Sequence, residues 1–173
     1  IFDNYSRIIN TRINGLLRAT CEVELASVEE QRYYEFSNAL TEGTVLAVSH
    51  LNMQGVRDES PVLFYITTPV MLSMIDRLLG GTGDVEPDLP DDYIYTDLEI
   101  RLYENLMKEL VSVMGNSWEN YIQLDFEFGR VETNPTLVQL IGLEETVVLV
   151  DMKMSFENVE GSMSVVLPEA VLT

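Results

Sequence analysis

The chain has 173 residues, 46% of them hydrophobic and 9% aromatic, which suits one domain with a substantial core and excludes a disordered chain. Ten Lys and Arg against 29 Asp and Glu give a formal net charge of −19, which excludes nucleic acid as a partner and argues against docking on anionic lipid. No apolar run approaches a bilayer-spanning length, no signal peptide is visible, and an opening Ile1 without a methionine is expected of a fragment of a longer protein.

In chain order, the first predicted element is an amphipathic helix from Phe2 to Ala19. Cys21-Glu22-Val23-Glu24-Leu25 then alternates apolar and polar, the pattern of a strand with one buried face. Glu29 to Leu40 is polar and short, enough for a helical turn or two. Thr44-Val45-Leu46-Ala47-Val48 and Val62-Leu63-Phe64-Tyr65-Ile66-Thr67-Thr68-Pro69 read as two further strands. Val70 to Leu79 is apolar and helix-like, and it stops abruptly at Asp76-Arg77-Leu78-Leu79-Gly80-Gly81-Thr82-Gly83. A glycine past the last turn is the commonest helix stop. That accounts for one glycine and leaves a Gly-Gly-x-Gly element open to a second use.

A linker from Gly80 to Tyr95 follows. It carries Pro87 and Pro90, and seven acidic residues lie between Asp84 and Glu99 with no Lys or Arg from Arg77 to Arg101. The acids alternate with Val, Leu and Pro, which is not the spacing of a calcium loop. Thr96 then offers an N-cap, and Glu99 three residues on completes a capping box. The helix it opens, Asp97 to Trp118, places Leu102, Leu106, Leu110, Val113 and Met114 on one face. Gln123 to Phe128, Glu132 to Leu140, Thr146 to Val150 and Ser164 to Pro168 repeat the strand, short helix, strand, strand order of the first half. Half-repeats of about 1–79 and 96–173, joined by 80–95, therefore predict a single pseudo-symmetric α/β domain.

Sites of chemistry are absent from the pattern. Cys21 and His50 each stand alone, so neither an internal disulfide nor a zinc site is expected, and a reduced, cytosolic setting is the default. His50 lies in a strand-like run, where a half-exposed side chain is expected. The glycine element follows a helix and has no lysine after it, so it is not a phosphate loop. There is no Gly-x-Ser-x-Gly elbow, and a single histidine leaves no room for a triad. No catalytic residue, metal or cofactor is assigned.

Several motifs acquire meaning together. Ile1-Phe2-Asp3-Asn4-Tyr5, Leu16-Leu17-Arg18, Val23-Glu24-Leu25, Tyr34-Glu35-Phe36, Thr44-Val45-Leu46-Ala47-Val48, the Asp76 to Gly83 run and Arg130-Val131-Glu132-Thr133-Asn134-Pro135 stand in the order seen in one family. Over essentially the whole chain they resemble the middle domain of the flagellar motor switch FliM family. The resemblance implies a three-layer α/β/α fold with an internal pseudo-two-fold repeat, CheC-like. It implies a non-enzymatic rotor component at the cytoplasmic face of the inner membrane, relaying the chemotaxis signal. By position, Gly80, Gly81 and Gly83 fall on the family's contact with FliG, with Asp76, Arg77, Leu78 and Leu79 leading into it. One of Leu78 and Leu79 is expected at the centre of that contact and the other inside the domain. The further partners implied are neighbouring FliM subunits, FliN through a C-terminal domain absent here, and CheY-phosphate weakly or not at all.

A rival from the same fold, a FliY- or CheC-like CheY-phosphate phosphatase, has a helix motif resembling Asp/Ser-x-x-x-Glu-x-x-Asn. Asp3 and Asn10 have that spacing, but Arg7 stands where the glutamate belongs. Glu104 is followed by Met107 and Glu109 by Ser112. Glu35 and Asn38, with Pro61 beyond them, form a decoy because Gln31 replaces the leading residue. An adaptor for an unrelated partner is the other alternative.

Overall fold

The period-2 pattern that begins at Cys21 extends into a long strand, β1 (Cys21–Arg32), packed beneath the amphipathic helix α1 (Phe2–Leu17). In the computed structural model the described residues are 2–18, 21–39, 45–53, 56–81, 95–114, 124–132, 145–156 and 159–168. They continue as α2 (Tyr33–Ala39), β2 (Leu46–Met53), β3 (Val56–Ile66), α3 (Thr68–Leu78), α4 (Asp97–Ser112), β4 (Leu124–Glu132), β5 (Thr146–Phe156) and β6 (Val159–Pro168).

The strands form one sheet in the order β1-β5-β6-β3-β2-β4, and every neighbouring pair is antiparallel. With β4, β5 and β6 taken as the second-half counterparts of β1, β2 and β3, that order is palindromic about the central β3–β6 pair. Each half lends its first strand to the other. β1 runs along β5 from Cys21 opposite Phe156 to Arg32 opposite Thr146, and β4 runs along β2 from Leu46 opposite Glu132 to Met53 opposite Leu124.

Alternation along the strands sends side chains to two separate cores. Ala47, Val62, Phe64, Val150 and Val165 meet Tyr5 and Ile9 of α1, Met71 and Met74 of α3, and Tyr103 and Leu110 of α4. The opposite face places Leu46, Val48, Leu63, Val147 and Val166 against Tyr33 and Phe36 of α2. Helices therefore cover both faces, giving three layers and the pseudo-two-fold order of strands.

Several boundaries differ from those predicted. Glu29 to Arg32 belong to β1, held by pairing with Leu149 to Thr146, so the expected short helix starts only at Tyr33. Thr67-Thr68-Pro69 does not continue β3. The helix α3 begins at Thr68, with Pro69 in its first turn, where a missing N–H is no loss. The first helix stops at Leu17, because Arg18 turns to a positive φ of 49°. The second long helix ends at Ser112. Val113 caps it and Met114 follows, both buried; the rest of its predicted span to Trp118, the expected second short helix beyond Glu132, and most of the acidic linker lie outside the described residues, as does the side chain of His50.

The capping box of α4 is present. The Glu99 N–H donates to Thr96 Oγ1 at 3.2 Å and the Thr96 N–H to a Glu99 carboxylate oxygen at 2.8 Å. Its buried face is broader than the leucine stripe suggested, since Tyr103, Met107 and Val111 join Leu106 and Leu110. Two buried phenols tie distant elements: Tyr5 donates to the Leu110 carbonyl at 2.6 Å and Tyr103 to the Val45 carbonyl at 2.8 Å.

Candidate functional site

The helix α3 closes in a full Schellman turn. The Gly80 N–H donates to the Arg77 carbonyl at 3.1 Å and the Gly81 N–H to the Asp76 carbonyl at 2.9 Å, the two bonds that define that motif. Gly80 has the left-handed φ of 94° that the turn requires, and the space where its Cβ would lie is open. Gly81 is constrained differently. A Cβ there would stand 2.6 Å from Asp76 Cγ, so the Asp76 carboxylate lies against the bare glycine backbone. The first two glycines thus differ: Gly80 supplies conformation, while a side chain at Gly81 would displace the Asp76 carboxylate, the movable end of a flexible side chain.

The residues leading into the turn divide by direction. Leu78 and Leu79 both face outward, 40% and 60% exposed, because burial along α3 ends at Ile75. The expectation that one of them is buried does not hold. Arg77 points into the domain instead. Its Nε donates to the Leu17 carbonyl at 3.1 Å, Nη2 to the Arg18 carbonyl at 2.8 Å, and Nη1 more weakly to the Gly81 carbonyl at 3.4 Å. One guanidinium therefore caps the last carbonyls of α1 and reaches the glycine turn. A cation is electrostatically suited to that place, since the C-terminal ends of α1 and α3 both carry partial negative charge.

Gly80 and Gly81 are therefore brought together with Asp76 and with two outward leucines, while Gly83 lies outside the described residues. The role of Leu17 and Arg18 was not visible in the sequence. The only hint was an arginine in the last turn of a helix, where it can cap carbonyls.

The surroundings supply little reactive chemistry. Among the described residues no three His, Cys, Asp or Glu side chains gather as metal ligands, and no helix is long and apolar enough to cross a membrane. Cys21 is buried, and burial, with the Glu22 carboxylate adding to it, pushes its thiol up to about 12. Burial likewise holds the Tyr5 and Tyr103 phenols well above their ordinary range. What the turn offers is shape and, through Leu78 and Leu79, apolar surface, which are means of docking a protein.

Comparison with known proteins gives this geometry a family context. The model of the family described as flagellar motor switch protein FliM matches residues 1–173. The flagellar motor switch protein FliM of Treponema pallidum is 30% identical over 169 residues, 96% of this chain and 46% of that protein. The FliM of Borreliella burgdorferi is 29% identical over 164 residues, 95% of this chain and 45% of its own length. The chain thus spans about half the length of these relatives. Among solved structures, the FliG–FliM complex from H. pylori superposes with a TM-score of 0.85 at 22% identity, covering 96% of this chain and 88% of that one. The H. pylori FliM middle domain gives 0.83 at 20% identity, covering 99% and 91%. The Thermotoga maritima FliY gives 0.76 at 14% identity, covering 95% and 84%. These structural likenesses concern the fold.

Proposed function

We propose a docking function from one premise: the chain belongs to the flagellar motor switch protein FliM family. It is a non-enzymatic component of the flagellar switch complex, working in the cytoplasm at the basal body. It binds FliG through the end of α3 and relays the signal that sets rotation direction. Its other partners are neighbouring copies of itself and, through parts of the longer protein, FliN. The observation that carries this reading is the pair of exposed leucines, Leu78 and Leu79, mounted beside a glycine turn that adds no side chain of its own. Those apolar side chains give a partner a hydrophobic centre, while the Gly80 and Gly81 amides stay engaged within the turn itself. A solved relative crystallised with FliG is consistent with that choice of partner.

The test is a titration with purified FliG. Gly81→Trp places a bulky side chain against Asp76 and across the turn, and it is expected to abolish binding while circular dichroism stays native. Unchanged affinity would mean that the glycines only shape a loop. Incubation with phosphorylated CheY separates the phosphatase alternative, because faster dephosphorylation than in the buffer control would overturn the non-enzymatic reading. Arg7, exposed on α1, stands where that chemistry needs a carboxylate.

A further inference from the structure

All three guanidinium nitrogens of Arg77 are engaged by backbone carbonyls: those of Leu17, Arg18 and Gly81. The side chain on the partner-facing run that carries a fixed positive charge is thereby held to this domain. The place it grips is itself well fixed. Arg18 has a positive φ of 49°, a conformation uncommon without glycine, which presents its carbonyl to the arginine fork beside that of Leu17. One turn earlier, the Asn14 amide brackets the start of β1, accepting from the Cys21 N–H at 2.7 Å and donating to the Cys21 carbonyl at 3.3 Å. The glycine turn is thus linked through one side chain to the junction of α1 with the edge strand of the sheet.

We infer that Arg77 is a positioning residue for docking, which sets the turn's geometry and carries the effect of partner binding to the C-terminal end of α1. This rests on the docking function proposed above. The carbonyl of Gly81 lies in the turn, those of Leu17 and Arg18 lie 60 and 59 residues before Arg77 in sequence, and the guanidinium is rigid and planar. A displacement of the turn by a partner therefore moves the fork as a unit, and the α1 carbonyls must follow it or release it. The weak 3.4 Å bond to Gly81 marks the end of the clamp with room to shorten.

The experiment compares the wild-type chain with Arg77→Lys and Arg77→Gln. It measures FliG affinity, and it follows the backbone amide signals of Leu17, Arg18 and Cys21 during the titration. In the wild type these α1 signals shift as FliG docks at Gly80 and Gly81. In Arg77→Gln the affinity falls about tenfold, as loss of a charge-assisted pair implies, and the α1 signals stay still while those of the turn move. Arg77→Lys, which keeps the charge but loses the fork, falls between. Wild-type affinity in Arg77→Gln, or α1 signals that still follow the titration in it, would overturn the inference. So would a FliG charge reversal that restores binding to Arg77→Glu, since that identifies a direct contact. If Gly81→Trp abolishes binding while Arg77→Gln is silent, the positioning role alone falls. If Gly81→Trp binds normally, the docking site falls and takes the positioning role with it.

Discussion

At Gly80 the backbone occupies a left-handed conformation that L side chains adopt only at a cost, yet nothing stands within 4 Å of its missing Cβ. Gly80→Ala should therefore lose about 1 kcal/mol of stability through backbone strain alone, and Gly80→Asn less, because asparagine tolerates that region. Urea unfolding checks both. Gly81 is the reverse case, with no left-handed φ and only the Asp76 carboxylate to be displaced, so its substitution acts first on that side chain. Cys21 shows how burial becomes a pH dependence. Its thiol is pushed up from 9.0 to about 12, so the unfolded chain loses the proton first as pH rises. The thiol's contribution is complete below pH 9 and is lost progressively as pH climbs toward 12. Cys21→Ala should flatten the fall in urea midpoint between pH 9 and 10, before the buried Tyr5 and Tyr103, whose ordinary value is 10.0, extend the decline. A midpoint series from pH 8 to 11 on both proteins gives the comparison.

At the scale of elements, local signals were legible and distant ones were not. The capping box at Thr96 and Glu99 is written in four consecutive residues, and it forms as read. Thr96→Ala should cost about 1 kcal/mol, visible as a lower melting temperature, because an exposed helix end then loses its acceptor. The alternation in Cys21 to Leu25 marked β1 but not its length. Glu29 to Arg32 are held in the strand by partners in β5, and no local propensity announces them. The glycine run was read correctly as a helix stop. Sequence did not show that Arg77 turns inward, since its acceptors come from the end of another helix. A helical wheel aligns Leu78 with the buried Met71, Met74 and Ile75 and sets Leu79 apart, so it favours burial of the first. Only the place where α3 leaves the core, after Ile75, sends both outward.

For the whole molecule, the repeat was legible as an order of strands, while the exchange of first strands between halves was not. Periodicity tells which face of a strand is buried and says nothing of its neighbour. Because β1 completes the second half's sheet and β4 the first's, neither half can build a closed set of pairings alone. Polypeptides covering 1–81 and 95–173 should each lack native circular dichroism and recover it on mixing; a half that folds alone would contradict this interdependence. The same exchange has a consequence during synthesis. Cys21 must wait for Phe156, and at ribosomal rates of about 5–20 residues per second that delay is on the order of ten seconds. Throughout it β1 is an unpaired strand leaving the ribosome, the kind of segment that joins other chains edge to edge. Glu22, Glu24, Glu29 and Glu30, all exposed, give it a density of like charge that repels a second copy. Such a density of charge opposes edge-to-edge pairing of two copies for as long as the partner strand is missing.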